Sequence, residues 1–340
     1  MTSCDLKRHR LYSMVPKILS LSSNESAFSA YSKLYHTFKT KTFPSIDSKN
    51  HAKSSQQKRS AVISHSLNKS MKLNIEMSLK YKESRGHLEN GDREKYSSVN
   101  GTTQNWDKFY RRHRSNFFKD RHYMEDEFPE LETFSQNNKS CSILEAGCGV
   151  GNTALPLIKK HASINFFATD FSQKAIQLLL SKISQLTTNE NKRIEAFVGD
   201  ISSRSIIKSF QKYKILNQMN IVMMIFSLSA IPPERHKQTL KNVSDALCDN
   251  GVILFRDYAR CDHTQLKFTD KNRLDDNFYV RQDGTLTYFF QIDDLTKMFH
   301  SNGFETIEIK LIERVLENRQ TGNQMSRMWI NARFRKISSI

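Results

Sequence analysis

The sequence predicts an α/β protein with a mostly parallel, seven-stranded sheet, helices on both faces and an antiparallel last strand. Between residues 142 and 258, five short apolar runs alternate with amphipathic stretches. Two further apolar runs near the C-terminus follow one another without a helical segment between them. A Gly-Cys-Gly-Val-Gly turn directly follows the first run. Because crossover connections are right-handed, the carboxyl ends of the parallel strands should share one edge, where ligands bind.

The predicted parallel strands come first in the chain, and each is bounded by glycine or an acidic residue. They are residues 142–147, 165–170, 194–200, 219–229 and 251–258, and the amphipathic stretches include 172–186 and 232–247. Residues 277–290 predict a β-hairpin insertion around Gln282-Asp283-Gly284. A helix over 292–302 follows, and strands over 304–314 and 325–336, joined by a turn-like segment at 318–323, close the sheet.

Charge is distributed unevenly along the 340 residues, whose formal net charge is +17. Residues 1–95 carry 18 basic and 8 acidic side chains, whereas the rest of the chain carries 34 and 27. The first hundred residues are also rich in serine and have no glycine before Gly86. Such a composition cannot offset the entropy of ordering, so we expect residues 1–95 to be a basic, Ser-rich, mostly disordered extension.

The same extension bears on the compartment. Residues 6–43 contain one acid, Glu25, among basic and hydroxyl side chains, a pattern typical of organelle-targeting presequences, although a plain basic tail has it too. We expect a cytoplasmic protein, with a mitochondrial or nuclear location as the alternative that depends on this extension.

Membrane and metal classes are not supported by the sequence. The longest apolar run covers residues 221–226, far short of the roughly 20 residues that a spanning helix needs. The five cysteines show no C-x-x-C spacing, so neither a disulfide framework nor a metal site is predicted.

The glycine-rich turn is the strongest chemical signal. Gly147, Gly149 and Gly151 end the first strand and open a helix, and Asp170 ends the next strand 19 residues after Gly151. Glycines with this spacing are a weak signal alone. Here the glycines lie between a strand and a helix, and an acidic residue ends the next strand. This combination predicts a Rossmann-like nucleoside site.

Acids at three strand ends indicate which nucleoside. Glu145, Asp170 and Asp200 would repel a pyrophosphate but attract the sulfonium and ammonium groups of S-adenosylmethionine. We expect Asp170 to accept hydrogen bonds from the ribose hydroxyls, Asp200 to lie near the base, and Glu145 to act indirectly by holding loop amides. The alternative for each acid is a helix cap.

Six longer words in the chain carry a family resemblance. They are Leu-Glu-Ala-Gly-Cys-Gly-Val-Gly-Asn at 144–152, Trp-Asp-Lys-Phe-Tyr at 106–110, Asn-Phe-Phe-Lys-Asp-Arg-His at 116–122, Ile-Phe-Ser-Leu-Ser-Ala-Ile at 225–231, Leu-Phe-Arg-Asp-Tyr at 254–258 and Asn-Phe-Tyr-Val-Arg-Gln-Asp-Gly-Thr at 277–285. The first resembles class I methyltransferases. Together they resemble the methyltransferase-like enzymes that form 3-methylcytidine in tRNA, over residues 105–336. Ser227 departs from that pattern, where an aliphatic residue is expected.

The resemblance implies a class I methyltransferase fold over residues 136–340, preceded by a helical lid and RNA-contact segment at 96–135. It also implies a set of cofactor-binding residues. These are Trp106, Tyr110, Glu145, Gly147, Gly149, Gly151, Asp170, Asp200, Ile201 and Ile225. Trp106 and Tyr110 are four residues apart and so share a helix face, where they could cover the methionine end of the cofactor.

Basic and aromatic side chains alternate between Lys108 and Arg121. Guanidinium groups bind phosphates and aromatic rings stack on exposed bases, which favours RNA contact over an ordinary solvated helix face. The candidate RNA-binding residues are Arg111, Arg112, Arg114, Lys119, Arg121, Arg256 and Arg281.

Asp257 is the candidate catalytic residue. Cytosine N3 carries a free lone pair, so methyl transfer to it needs alignment rather than a general base. Its product is a cation that a nearby carboxylate would stabilise. A structural salt bridge from Asp257 to Arg256 or Arg281 is the alternative.

The function implied by the resemblance is S-adenosylmethionine-dependent formation of N3-methylcytidine at position 32 of the tRNA anticodon loop. Serine, threonine and arginine isoacceptors are all open as substrates, because two words of the chain favour different branches of the family. Some members of that family depend on an aminoacyl-tRNA synthetase or another RNA-binding protein. The alternatives are a methyltransferase acting on protein or a small molecule, and a non-catalytic RNA-binding partner.

Overall fold

A computed structural model describes residues 99–115, 117–136, 140–317, 322 and 324–337. The extension expected at 1–95 lies outside the described residues, as does most of the turn expected at 318–323. Within the described ranges, no helix combines the length and the apolar character needed to cross a membrane.

Seven strands form the main sheet: β1 (Cys141–Ala146), β2 (Ile164–Asp170), β3 (Ile194–Val198), β4 (Met219–Ile225), β5 (Leu247–Tyr258), β9 (Phe304–Glu317) and β10 (Gln324–Lys336). Their order across the sheet is β3-β2-β1-β4-β5-β10-β9. The first five pair in parallel, and β10 lies antiparallel between β5 and β9. The predicted mixed, mostly parallel sheet is therefore confirmed.

Ten helices accompany these strands in the described part of the chain. They are α1 (Val99–His113), α2 (Met124–Glu127), α3 (Glu130–Gln136), α4 (Ala154–Lys160), α5 (Gln173–Ile183), α6 (Thr188–Asn191), α7 (Ile206–Lys212), α8 (His236–Ala246), α9 (His263–Lys267) and α10 (Ile292–His300). Short 3₁₀ turns occupy Leu228–Ala230, Pro233–Arg235 and Asp270–Asn272.

Both faces of the parallel part of the sheet are buried, as the unbroken apolar strands require. Along β1 and β4, neighbouring residues alternate between two separate apolar clusters: Leu144 and Val222 pack in one, Ile143 and Ile221 in the other. Helices α2 and α3 belong to the second cluster through Met124, Phe128 and Leu131, which are at most 1% exposed. The second half of the segment expected to form a lid at 96–135 thus packs on the sheet.

The predicted hairpin insertion is present and larger than expected. Strands β7 (Phe278–Val280) and β8 (Leu286–Tyr288) form it, and β6 (Arg273–Asp275) adds a third antiparallel strand. Three residues with one alternating position give too short a pattern for β6 to be read from sequence.

One strand boundary matters for the site. The strand predicted over 219–229 ends at Ile225, because Phe226 takes a positive φ of 56° and a 3₁₀ turn follows. A non-glycine residue in this conformation breaks a strand and turns the chain across the sheet edge.

Candidate active site

The glycine loop after β1 lies under two side chains from other elements. Gly147 (φ 78°) and Gly149 (φ 55°) take left-handed conformations that favour glycine. A Cβ at Gly149 would lie 2.6 Å from the Tyr110 hydroxyl oxygen, and one at Gly147 would lie 2.6 Å from Cβ of Ser227. The loop therefore needs glycine at both positions to keep its place beside α1 and the end of β4.

Gly151 also takes a left-handed conformation (φ 82°), and packing adds a second reason for glycine there. A Cβ there would lie 2.5 Å from Cδ1 of Leu179 and 3.1 Å from Cγ of Leu155. The structure places this predicted cofactor-binding residue against side chains of both α4 and α5.

Asp170 at the end of β2 holds the loop in place. Its two carboxylate oxygens accept hydrogen bonds from the amides of Gly149 (2.9 Å) and Ser172 (2.8 Å). Burial raises the pKa of Asp170 to about 6; the two amides oppose this, and the charges of Asp107 and Asp200 add to it. The carboxylate thus lies beside the loop with lone pairs still able to accept hydroxyl donors.

Glu145, inside β1, is an unsatisfied buried acid. It is 0% exposed, and within the described residues neither carboxylate oxygen has a hydrogen-bond partner. Burial raises its pKa to about 7, while Arg121, the Thr153 hydroxyl and the Ala154 amide lower it without completing a hydrogen bond of ordinary geometry. The expectation that Glu145 holds loop amides stays a prediction, supported by the Ala154 amide at the start of α4.

Asp200 follows β3 and bonds within a local turn that precedes α7, whose N-cap is Ser205. Its Oδ1 accepts from the amide (2.9 Å) and the hydroxyl (2.7 Å) of Ser202. The neighbouring Ile201 and, at the end of β4, Ile225 are 4% and 2% exposed. The structure thus brings the two predicted apolar residues to the correct sheet edge, within the core clusters.

Helix α1 docks over the loop through side chains that the sequence reasoning only partly identified. Trp106 and Tyr110 share one face, with ring centroids 5.8 Å apart, as their spacing predicted. Asp107 Oδ1 accepts from the hydroxyl of Ser172 (2.6 Å) and the amide of Lys174 (3.1 Å). Asn105 Nδ2 donates to the carbonyl oxygen of Gly284 at the hairpin turn, 2.9 Å away.

Neither Asp107 nor Ser172 was among the site residues predicted from the sequence. The available signal was positional: Asp107 stands between Trp106 and Tyr110, and Ser172 is the N-cap of α5, two residues after Asp170. Through Ser172, helix α1 and the loop-holding carboxylate are linked by consecutive hydrogen bonds.

The predicted RNA-binding residues separate into two groups. Those that are solvent-exposed in the described structure are Arg111, Arg112, Arg114 and Lys119. Arg121 instead donates to the Thr153 hydroxyl (2.7 Å) and lies 5.7 Å from the Phe226 ring centroid, within the site itself.

A basic cleft of about 630 Å³ opens beside α1. Its lining includes Arg112, His113, Lys267, Phe268 and Arg281. Arg281 donates to the Leu286 carbonyl (2.8 Å) and lies 5.7 Å from the ring of Tyr258, the last residue of β5. The cleft thus leads toward the carboxyl end of the sheet.

Arg256 does not have the surface position expected of an RNA contact. It is 2% exposed, pairs with Glu127 of α2 (3.2 Å) and donates to Asn331 Oδ1 (2.9 Å). Its guanidinium also lies over the rings of Tyr123 (5.2 Å) and Trp329 (5.0 Å). A charge this deeply buried must be paired, and it here joins α2 to the sheet.

Asp257 likewise departs from the expectation. It is 0% exposed, and its oxygens accept from the amides of Ser229 and Tyr258, both at 2.9 Å. Burial raises its pKa to about 6, while these bonds and the charge of Arg281 lower it. The alternative, a salt bridge to Arg256 or Arg281, does not form among the described residues, and Asp257 fixes the 3₁₀ turn after β4 onto β5.

Comparison with known proteins places this geometry in a family. A family model described as a methyltransferase domain matches residues 110–309. The tRNA N(3)-methylcytidine methyltransferase Mettl2 of Drosophila melanogaster is 40% identical over 236 residues, covering 68% of this chain and 70% of that protein. The chain belongs to the tRNA N(3)-cytidine methyltransferases.

Two further comparisons agree with this family. The human tRNA N(3)-cytidine methyltransferase METTL6 is 36% identical over 234 residues, covering 68% of this chain and 80% of that protein. A crystal structure of a SAM-dependent methyltransferase from Anabaena variabilis superposes with a TM-score of 0.51 at 14% identity, over 69% of this chain and 94% of that one. At this identity the structure supports the fold alone, which is the predicted class I fold.

The residues present fit S-adenosylmethionine, the cofactor of this class. Buried polar atoms without a hydrogen-bond partner in the described residues surround the glycine loop: both Glu145 oxygens, Ser227 Oγ and Trp106 Nε1. Asp107, Asp170 and Glu145 place negative charge there, which suits a ligand with a sulfonium and an ammonium group. A pyrophosphate would meet that charge with repulsion.

Proposed function

We propose that this protein methylates N3 of cytidine 32 in the anticodon loop of tRNA, with S-adenosylmethionine as the methyl donor. The proposal is carried by the combination of two features in a member of the tRNA N(3)-cytidine methyltransferases. One is the glycine loop with the adjoining buried carboxylates Glu145 and Asp170, called the acidic loop below, and the other is the basic cleft. The acids suit the cationic donor and the cleft suits a polyanionic substrate.

The chain's own residues bind and enclose the donor. Asp170 would accept from the ribose hydroxyls, since its remaining lone pairs lie beside Gly149. Glu145 would offer its unpaired oxygens to the cationic end, and Tyr110 and Trp106 would cover the loop from α1. S-adenosylmethionine supplies an electrophilic methyl group on sulfur.

Residues on the cleft side would hold the RNA. Arg111, Arg112, Arg114 and Lys119 are exposed near the end of α1, and Arg281 and Lys267 face the cleft from the hairpin and α9. Their charges would bind phosphates around the target nucleotide, which must leave its stack to reach the loop.

The reaction itself asks little acid or base chemistry of the protein. Cytosine N3 attacks with its own lone pair, so alignment and exclusion of water supply the rate enhancement. Asp257 acts as a positioning residue, because it is fully buried and holds the Ser229 turn beside the loop. Its negative charge near the sheet edge also favours the cationic product.

The recipient isoacceptors are proposed more broadly, as serine, threonine or arginine tRNAs. An aminoacyl-tRNA synthetase or another RNA-binding protein is proposed as a delivery partner, and a cytoplasmic location as the default. A methyltransferase acting on protein or a small molecule would keep the acidic loop but would not need the basic cleft.

The test is nucleoside analysis of individual tRNAs after deletion of the gene, with re-expression of the wild-type chain or of Asp170→Ala. The expected result is loss of 3-methylcytidine from at least one isoacceptor, restored by the wild-type chain and not by the variant. Unchanged 3-methylcytidine in every tRNA would reject the proposal, and restoration by Asp170→Ala would reject the role given to that carboxylate.

A further inference from the structure

Phe226 has a backbone conformation that its side chain does not favour. Its φ is 56°, in the left-handed region where a bulky aromatic residue is an outlier. Strain of this kind is unfavourable and is retained mainly where surrounding structure or function requires it. Here the surrounding structure holds the backbone, because the Phe226 amide donates to the Arg256 carbonyl at 2.7 Å.

The turn at Phe226 determines where its aromatic ring lies. Phe226 lies between Ile225, the end of β4, and Ser227, which touches the glycine loop at Gly147. Its half-buried ring has its centroid 5.0 Å from that of Tyr258 and 5.7 Å from the Arg121 guanidinium. Tyr258 in turn lies under Arg281, which lines the basic cleft.

These contacts form a row of neighbouring residues between the cleft and the cofactor loop. Starting at the cleft, it runs through Arg281, Tyr258, Phe226 and Ser227 to Gly147. Rings and guanidinium planes are the groups on which unstacked RNA bases lie. The Phe226 ring therefore lies between a residue that lines the cleft, Arg281, and the cofactor loop at Gly147, where a base could stack on it.

We infer that Phe226 is the stacking surface for the target cytosine, held by its strained turn at the mouth of the cofactor pocket. The inference rests on the proposed function and adds a substrate-binding residue to it. Stacking on this ring would take the place of the neighbouring bases that the nucleotide leaves in the anticodon loop. Arg121, over the same ring, would confine the base from the side of the glycine loop.

The test replaces the ring without disturbing the backbone. Phe226→Asn suits this, because Asn adopts positive φ more readily than Phe, and Phe226→Leu keeps apolar volume without an aromatic face. Lys214→Asn is the matched control, since Lys214 also has a positive φ (55°) but precedes β4, at the opposite edge of the sheet. Each variant is measured for melting temperature, cofactor affinity by calorimetry, and kcat/KM on a tRNA that the wild-type chain methylates.

A second readout reports stacking directly. An anticodon stem-loop carrying the fluorescent base pyrrolocytosine at the target position is titrated with each variant. We expect both Phe226 variants to keep cofactor affinity within about twofold, to lose kcat/KM on the order of 10- to 100-fold, and to lose the change in probe fluorescence seen with the wild-type chain. Lys214→Asn should behave as wild type in all four measurements.

The outcomes separate the inference from the proposed function. Wild-type kcat/KM and probe response in both Phe226 variants would overturn the stacking role while leaving the methyltransferase assignment intact. A loss of cofactor affinity equal to the loss of kcat/KM would also overturn it, because the ring would then serve the cofactor. If the wild-type chain itself forms no 3-methylcytidine in any tRNA, the proposed function fails, and the stacking role fails with it.

Discussion

Replacement of Glu145 by glutamine should make the unliganded protein more stable and the cofactor bind less tightly. The side chain is fully buried and its oxygens have no hydrogen-bond partner in the described residues. Burial raises its pKa from 4.5 to about 7. Across that interval the ionised group lowers the free energy of unfolding by about 3 kcal/mol, which Glu145→Gln would recover.

The pH dependence gives this prediction its sign. Because the folded-state pKa is raised, the folded protein binds the proton more tightly than the unfolded chain does. The contribution to stability is complete below pH 4.5 and is lost as pH rises to about 7. Glu145→Gln imitates the protonated form, so its advantage in melting temperature should be small at pH 5 and reach roughly 6–12 °C at pH 8.

Differential scanning fluorimetry without cofactor, from pH 5 to 8, measures this difference. The control is Glu132→Gln, which removes an exposed carboxylate from α3 and should show no such trend. Calorimetry at pH 8 should show at least tenfold weaker S-adenosylmethionine binding by Glu145→Gln. An advantage that is independent of pH, or a variant less stable than wild type at pH 8, would refute the reasoning.

Two further substitutions test the loop and the buried ion pair. Gly149→Ala should weaken cofactor binding at least tenfold, because its Cβ would meet the Tyr110 hydroxyl at 2.6 Å. Calorimetry on the double variant Gly149→Ala/Tyr110→Phe should show partial recovery of cofactor affinity. If affinity does not recover, the loss of binding comes from the backbone conformation alone. Arg256→Ala should lower the melting temperature by roughly 5–15 °C, because it leaves Glu127 without its buried partner. An unchanged melting temperature with weakened tRNA binding would return Arg256 to the role of RNA contact.

The fold and the acidic loop could be predicted because their signals are local in sequence. The alternation of apolar runs reports the βα units, and the glycines and strand-end acids lie within or next to these runs. Asp170 could be identified from its position at a strand end because parallel strands bring such ends together. The two backbone amides that bond to it, those of Gly149 and Ser172, could not be predicted, because these contacts depend on how the loop turns.

Arg256 and Asp257 show where that reasoning stops. Both residues lie at the carboxyl end of β5, a position that is compatible with contact to the substrate as well as with a structural role. Whether Arg256 faces RNA or Glu127, 129 positions away, depends on α2 packing against the sheet, and no periodicity in the sequence encodes that contact. Asp257 bonds to backbone amides of the Ser229 turn, and amides carry no residue-specific signal.

Helix α1 shows why the donor site cannot be treated as the sheet edge alone. An isolated helix of 15 residues is marginal in water, so α1 depends on tertiary contacts for its position. Asp107 fastens it to Ser172, whose amide also donates to Asp170. The carboxylate proposed to hold the ribose is therefore two hydrogen bonds away from the helix that covers the loop. A substitution at Ser172 would therefore affect the position of α1 and that of the Asp170 carboxylate together.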